Sequence, residues 1–474
     1  MSGGRGAVAA GTTGGTTPLF EHDLDLCMRC SACAATCPTY GVLGHEGFSP
    51  RGRVQVAGAL LEGRLEPNPR SLEFLDTCLH CEACRTACPN DVPVTRLVDL
   101  ALDLPDFKPL GPAPNRAVRL MLWAVAHPWT LALLRPGLWL WQRLRLGRLA
   151  KSAGHRVPWL ASLAEVAAGL PPMPSPFRPA LPARHAPALP APLAPARRLQ
   201  AGSGRVAFFL GCVQEAVFAE TNRASISLLQ AAGLEVASAP GQGCCGALHL
   251  HQGRVNDARS MARRNIAAFE AAGPEWVVNS AGGCGATLRE YGSLLAGDPE
   301  WASRAAAFSS RVRDISDFLA GLPLSGGEGG TGRDGPEPHR PRSTPLPLRV
   351  TIQDSCHLVH VQGVRSPLRT LLTPVAGRGL VELPRPDQCC GSAGVYNLER
   401  TELALAILDR KMEDVKSTGA DVVVTANPGC TLQLRLGVAR AGLTGQVRVL
   451  HVADLLWESV RPTESERKGG GSRG

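Results

Sequence analysis

The chain has 474 residues, enough for about three domains of ordinary size. Hydrophobic residues make up 44% of it, which excludes a wholly disordered chain, while 52 Gly and 39 Pro imply long irregular stretches. The net charge of +9 is unevenly placed: residues 18–110 carry 8 basic against 13 acidic side chains, residues 111–204 carry 12 against one (Glu165), and residues 205–474 carry 29 against 27. A basic excess confined to one segment does not support general nucleic-acid binding, and no nucleic-acid partner is expected. The sixteen cysteines are more informative. Residues 1–17 are rich in Gly, Ala and Thr and lack the apolar core of a secretory signal. The thiols therefore point to metal or redox chemistry in a cytoplasmic chain rather than to disulfides.

In chain order, residues 1–17 read as a disordered leader. Residues 18–110 hold eight cysteines among short helical patterns such as Val54, Ala57, Leu60 and Leu61. Cys27-x2-Cys30-x2-Cys33-x3-Cys37-Pro38 recurs as Cys78-x2-Cys81-x2-Cys84-x3-Cys88-Pro89. This is the spacing of two-cluster ferredoxins, in which three thiolates wrap one [4Fe-4S] cubane and the fourth reaches the other cluster. It assigns Cys27, Cys30, Cys33 and Cys88 to one cluster, and Cys78, Cys81, Cys84 and Cys37 to a second. Zinc ribbons instead use two separated cysteine pairs, and thiols two residues apart rarely meet disulfide geometry.

Residues 111–204 begin with a basic, Trp-rich stretch containing Trp123, Trp129, Trp139 and Trp141 beside Arg116, Arg119, Arg135, Arg143, Arg145, Arg148 and Lys151. Its longest apolar run, 120–134, is interrupted at His127-Pro128 and is shorter than the roughly 20 residues a bilayer requires. Two short amphipathic helices meeting near Pro128 are expected, with three readings: packing on the chain's own domains, a groove on a partner subunit, or a peripheral contact with the cytoplasmic face of the inner membrane. Ten prolines between 171 and 195 mark an extended linker.

An internal repeat follows. Cys212, the Cys244-Cys245-Gly246 run and Cys284 match Cys356, Cys389-Cys390-Gly391 and Cys430 at offsets of 144, 145 and 146 residues. Each half places an apolar run before its first and last cysteine, with helical stretches at 216–232, 254–272 and 398–418. The pattern predicts two α/β units of mainly parallel strands, 205–321 and 348–460, with the cysteines at strand C-termini where such folds gather ligands. A Gly/Pro-rich connector at 322–347 joins the units, and 461–474 reads as a flexible tail. The fold class is thus α plus α/β: an N-terminal α-helical two-cluster domain followed by two repeated cysteine-rich units.

Vicinal cysteines followed by Gly, together with the doubled ferredoxin loops and the run Phe48-Ser-Pro-Arg-Gly-Arg53, give the chain its family resemblance. It resembles the iron–sulfur subunits of glycolate oxidase, within the wider group of two-cluster ferredoxin modules fused to paired cysteine-rich "CCG" domains; the likeness covers about 20–110 and 205–460. The resemblance implies two [4Fe-4S] clusters here and FAD only on a partner dehydrogenase subunit that oxidises glycolate to glyoxylate, with electrons passed onward to quinone or another acceptor. The alternatives it leaves are the electron-transfer subunit of a lactate or anaerobic glycerol-3-phosphate dehydrogenase, or a heterodisulfide-reductase-like subunit. In the heterodisulfide reductase pattern the motif closes with Cys-x-x-Cys, and here Ala281 and Asn427 replace the first of that pair. The eight remaining thiols (Cys212, Cys244, Cys245, Cys284; Cys356, Cys389, Cys390, Cys430) are compatible with a further cluster, with zinc, or with no metal. His249, His251 and His357 are candidates to tune such a site. No Gly-rich dinucleotide fingerprint and no nucleophile–His–acid set is found, so no catalytic residue is assigned.

Overall fold

The computed structural model describes residues 17–107, 116–144, 146, 205–323 and 340–460. The expectations of a disordered leader, a Pro-rich linker, a Gly/Pro-rich connector and a flexible tail fall wholly or largely outside those residues. The chain forms two compact units: Met1–Cys78 with Glu82–Pro112, and Leu79–Cys81 with Ala113–Gly474.

The first unit is helical, and its described residues contain no strand. Its longest helix, Pro50–Leu61, starts where Pro50 sits at the first helical position and Ser49 Oγ accepts from the Gly52 N–H at 3.0 Å. Pro69–Asp76 opens on a reciprocal cap in which Asn68 and Ser71 satisfy each other's backbone donors. Val54, Ala57 and Leu60 on the first helix bury against Leu75, Leu97 and Val98 on the helices Pro69–Asp76 and Val94–Leu102. Gly52 is obligatory, because a Cβ there runs into the Glu46 carbonyl.

The second unit contains two four-stranded sheets in which every pairing is parallel. The first comprises β1 (Arg205–Phe209), β2 (Glu235–Ala237), β3 (Trp276–Asn279) and β4 (Val312–Asp314) in the order β2-β1-β3-β4. The second comprises β5 (Val350–Ile352), β6 (Leu380–Val381), β7 (Val422–Thr425) and β8 (Arg448–His451) in the order β6-β5-β7-β8. The central strands are unbroken apolar or buried runs, since helices cover both faces of such sheets. One hydrophobic core draws on both sheets, joining Val206, Phe208 and Val278 to Ile352, Val422 and Val424. Backbone and side-chain bonds reinforce it: the Gly282 N–H donates to Ala426 O at 2.9 Å, and His451 Nε2 pairs with Ser280 O at 2.7 Å.

The helix expected over 216–232 is instead two, Cys212–Val217 and Ala219–Ala231. Phe218 leaves helical dihedrals (φ −120°, ψ 38°) and buries its ring, with the Arg435 guanidinium 5.4 Å from the ring centre. In the basic segment, Arg116–Ala126 and Pro128–Arg143 are helices that break at His127, and Val118, Leu122 and Val125 pack against Val395, Cys244 and Met261 of the second unit. Packing on the chain's own domain therefore accounts for one face of the first helix, while Leu120 and Trp123 remain exposed on another. Among the described residues no helix is long and apolar enough to cross a membrane.

Candidate functional site

The two ferredoxin-like loops share an unusual backbone. Arg29 and Ser31 take φ of 58° and 69° on either side of Cys30, and His80 and Glu82 take 51° and 59° on either side of Cys81. Non-glycine residues rarely adopt this left-handed region, and alternating it with right-handed residues turns successive backbone N–H groups inward, as a sulfur-rich anionic group needs. Cys27, Cys30, Cys33 and Cys88 line one cavity together with Cys84 of the second loop. Burial pushes the Cys33 thiol up, and the nearby Cys27 and Cys88 sulfurs push it further. Burial likewise raises Cys84 well above the ordinary thiol range, with Cys78, Glu82 and Cys37 as its charged neighbours. Cys88 of the second loop thus lies with Cys27, Cys30 and Cys33, and Cys37 of the first lies near Cys84 and Cys78. Cys81 is buried on the loop Leu79–Cys81, which groups with the second unit. Arg53 reaches Cys37: Nη1 donates to its sulfur at 3.6 Å, while Nη2 serves Thr39 Oγ1 at 3.0 Å and Thr77 Oγ1 at 3.2 Å.

In each repeat four thiols come together beyond the C-terminal ends of the two central strands. The chain turns to opposite sides of β1 to form β2 and β3, so Cys212 and Cys284 flank a topological switch point, and Cys356 and Cys430 do the same beside β5 and β7. Gly211 (φ 70°) turns the chain from β1 into the helix that begins at Cys212. The vicinal cysteines are pressed against helices, since a Cβ on Gly391 (φ 90°) would lie 2.6 Å from Ala404 O.

In the first set, Cys244 Sγ is the hub. It lies 3.5 Å from Cys212 Sγ and accepts the Gly246 N–H at 3.5 Å. Donation from Cys212, Cys245 and His249 holds Cys244 well below the ordinary thiol range, and its negative sulfur pushes Cys212 and Cys245 well above it. In the second set, the bond to Cys389 and burial push Cys390 up to about 12. Contact with Cys390 and burial raise Cys430 well above the usual range, although Asn427 and Ser355 donate toward its sulfur. His249 is buried beside Cys244, whereas His251 and His357 lie next to each other with ring centres 5.7 Å apart and planes tilted by 32°. Four soft sulfur donors, the vicinal pair of each set buried and Cys212, Cys284 and Cys356 half-buried, have the chemistry of an iron–sulfur or zinc site. Among the described residues, no three or more His, Cys, Asp or Glu side chains converge as they would around one metal ion.

A model described as a 4Fe-4S dicluster domain matches residues 23–92, and one described as a cysteine-rich domain matches 206–289 and 350–435. The probable glycolate oxidase iron–sulfur subunit of Bacillus subtilis (strain 168) is 38% identical over 443 residues, covering 93% of this chain and 95% of that protein. The chain belongs to the family of glycolate oxidase iron–sulfur subunits. The Escherichia coli (strain K12) glycolate oxidase iron–sulfur subunit is 32% identical over 89% of this chain and 91% of its own length. Lactate utilization protein A of Bacillus subtilis (strain 168) is 30% identical over 53% of this chain and 98% of its own. Against this glycolate oxidase iron–sulfur family, the sequence reading found the cysteines and the repeat. It missed the contact of Arg53 with Cys37 and the contacts of Asn427 and Ser355 with Cys430; Asn427 was visible only as the residue that replaces a cysteine.

Proposed function

We propose that this chain is the electron-transfer subunit of a complex whose FAD-bearing partner oxidises a 2-hydroxy acid, glycolate to glyoxylate in the first instance, and that it passes the electrons onward to an acceptor such as quinone. The observation that carries this reading is the crossed pair of ferredoxin-like loops in a chain matched over 93% of its length by a probable glycolate oxidase iron–sulfur subunit. Removal of hydride belongs to the partner's flavin. The lactate-utilisation likeness reaches 53% of the chain, which favours glycolate.

The assigned ligands are Cys27, Cys30, Cys33 and Cys88 for one [4Fe-4S] cluster, and Cys78, Cys81, Cys84 and Cys37 for the other. When bound, each cluster supplies a one-electron carrier whose potential depends on hydrogen bonds, charge and solvation. The chain's own residues do the rest. The left-handed positions beside Cys30 and Cys81 shape the loops, Arg53 sets a cation against Cys37, and the core formed by Val54, Leu75 and Leu97 limits water. Cys212, Cys244, Cys245 and Cys284, and Cys356, Cys389, Cys390 and Cys430, are assigned to one further cluster in at least one repeat. A cytoplasmic location, with peripheral contact at the inner membrane through the exposed Leu120 and Trp123, accords with the basic segment.

Two measurements test this reading. Anaerobically purified protein is expected to carry at least about eight iron atoms with matching labile sulfide, and twelve or more if a cysteine-rich repeat is loaded. Cys30→Ala is expected to remove one low-temperature EPR signal and cut electron flow to quinone while the partner flavin stays reducible. Retention of both signals would sink the ligand assignment.

A further inference from the structure

The two thiolate sets occupy equivalent places in the two repeats but are not chemically equivalent. In the second, Asn427 Nδ2 donates to Cys430 Sγ at 3.6 Å, while its Oδ1 accepts the Gly283 N–H from the other repeat at 3.1 Å. Gly283 lies in the first turn of the helix Gly282–Arg289, where backbone donors have no partner within the helix. That N–H fixes the amide's orientation: the oxygen must face Gly283, so the NH2 group must face the sulfur. The Ser355 hydroxyl stands near the same sulfur, held by Thr425 Oγ1 at 3.0 Å and by the Ala426 N–H at 3.3 Å.

The first set has neither group. The position matching Asn427 is Ala281, which has nothing to donate, and the position matching Ser355 is Gly211. The correspondence is geometric as well as sequential, since a Cβ built on Gly211 would lie 3.9 Å from Cys284 Sγ, much as Ser355 stands beside Cys430. A further difference runs along the helices Val255–Ala272 and Thr401–Thr418. Asn265 in the first, bonded to Cys244 O and the Tyr291 hydroxyl, is matched in the second by Lys411, a buried ammonium 3.8 Å from Asp414. The first set has buried His249 beside Cys244, where the second repeat has Gly394.

We propose that Asn427 is a positioning residue of the second thiolate set: its amide, locked from across the repeat interface by Gly283, aims Cys430 Sγ and raises the reduction potential of the cluster bound there. The proposal rests on the reading above that this set holds a cluster. A donor on a ligating sulfur favours the reduced, more negative state, so its removal must lower the potential.

The test uses the full chain, purified anaerobically, with Asn427→Ala and Asn427→Asp. Asp keeps an oxygen for the Gly283 N–H but exchanges the donor to sulfur for a carboxylate charge, so Ala, which is uncharged, gives the share due to the donor alone. A role confined to holding the repeats together lowers the melting temperature of N427A and leaves its midpoints unmoved. Both variants are expected to keep the unaltered iron and sulfide content, and in an EPR-monitored redox titration one midpoint should fall by about 59 mV, a tenfold change in the one-electron equilibrium, while the others stay. Unmoved midpoints in N427A, with twelve or more irons in the unaltered chain, overturn this inference and leave the parent reading standing. About eight irons in the unaltered chain overturn the assignment of a further cluster and this inference with it, and leave the electron-transfer reading standing.

Discussion

Arg53 is the largest of the fully buried side chains, and a guanidinium can be so placed only if its donors are met. They are, by Phe74 O at 2.8 Å, Thr39, Thr77 and the Cys37 sulfur. Arg53→Met keeps the volume but strands these acceptors, and should cost about 3–5 kcal/mol of stability along with iron from the first unit. Arg53→Lys keeps the charge without the fork and should fall between. Denaturant midpoints and iron content of the anaerobic proteins would check this; full stability in R53M would contradict it. The sequence drew attention to the run ending at Arg53 but could not supply its partners, because Cys37 and Thr77 stand 16 and 24 residues away. Likewise the cysteine spacing announced the loops, but nothing in the residue types of Arg29 or Glu82 announces a left-handed backbone. Their conformation is imposed by the loop around them rather than by their own preference.

At the scale of elements, the last strand of each repeat ends on a buried residue that caps the next helix. Asp314 accepts the Ser316 N–H at 2.8 Å, and His451 Nδ1 accepts that of Ala453 at 3.1 Å. Burial pushes the Asp314 carboxyl up to about 7, and its Oδ2 has no partner among the described residues. The folded chain therefore holds a proton that the unfolded chain releases above about pH 4, and stability falls as pH rises from there through 7. Burial draws His451 down to about 4, so the unfolded chain binds a proton below about pH 6.5 that the folded one refuses, and stability falls as pH drops from 6.5 to 4. Asp314→Asn keeps the cap and abolishes the first loss. It should exceed the unaltered protein by on the order of 1 kcal/mol at pH 8 and match it near pH 4, in melting curves at the two pH values. A difference independent of pH would refute it. The strands and the break at Pro128 were legible in the sequence because apolar runs and prolines act locally. The break at Phe218 was not, because it depends on where a ring finds burial beside Arg435.

For the second unit as a whole, the decisive feature is that its two sheets share one core. Leu372, fully buried in the helix Ser366–Ala376, belongs to that core although it lies in the second repeat. Leu372→Ala should cost about 2–5 kcal/mol and speed hydrogen exchange in β3 of the first repeat as well as in β7 of the second. Faster exchange confined to the second repeat would mean that the halves open separately. The repeat itself could be read from three cysteine landmarks, yet those offsets describe each half alone. Which faces of the halves meet depends on residues such as Gly282 and Gln362, whose side-chain amide donates to Gly282 O at 2.8 Å and whose residue types carry no such signal.

The contact between Gly282 and Ala426 has a history in it. Two identical halves meeting about a twofold axis make every contact twice, and the mirror of this bond joins the residue at 428 to Ser280 O. Position 428 is proline and has no hydrogen to give; Ser280 O is served instead by His451, where the other half has aspartate. Proline and histidine thus form a compensated pair. Each half is self-consistent at this point: the first offers the Gly282 N–H and needs no histidine, and the second, whose proline gives nothing, offers His451 in its place. The two halves thus meet the same carbonyl position with different donors, and the asymmetry between their sulfur sites extends into the seam that joins them.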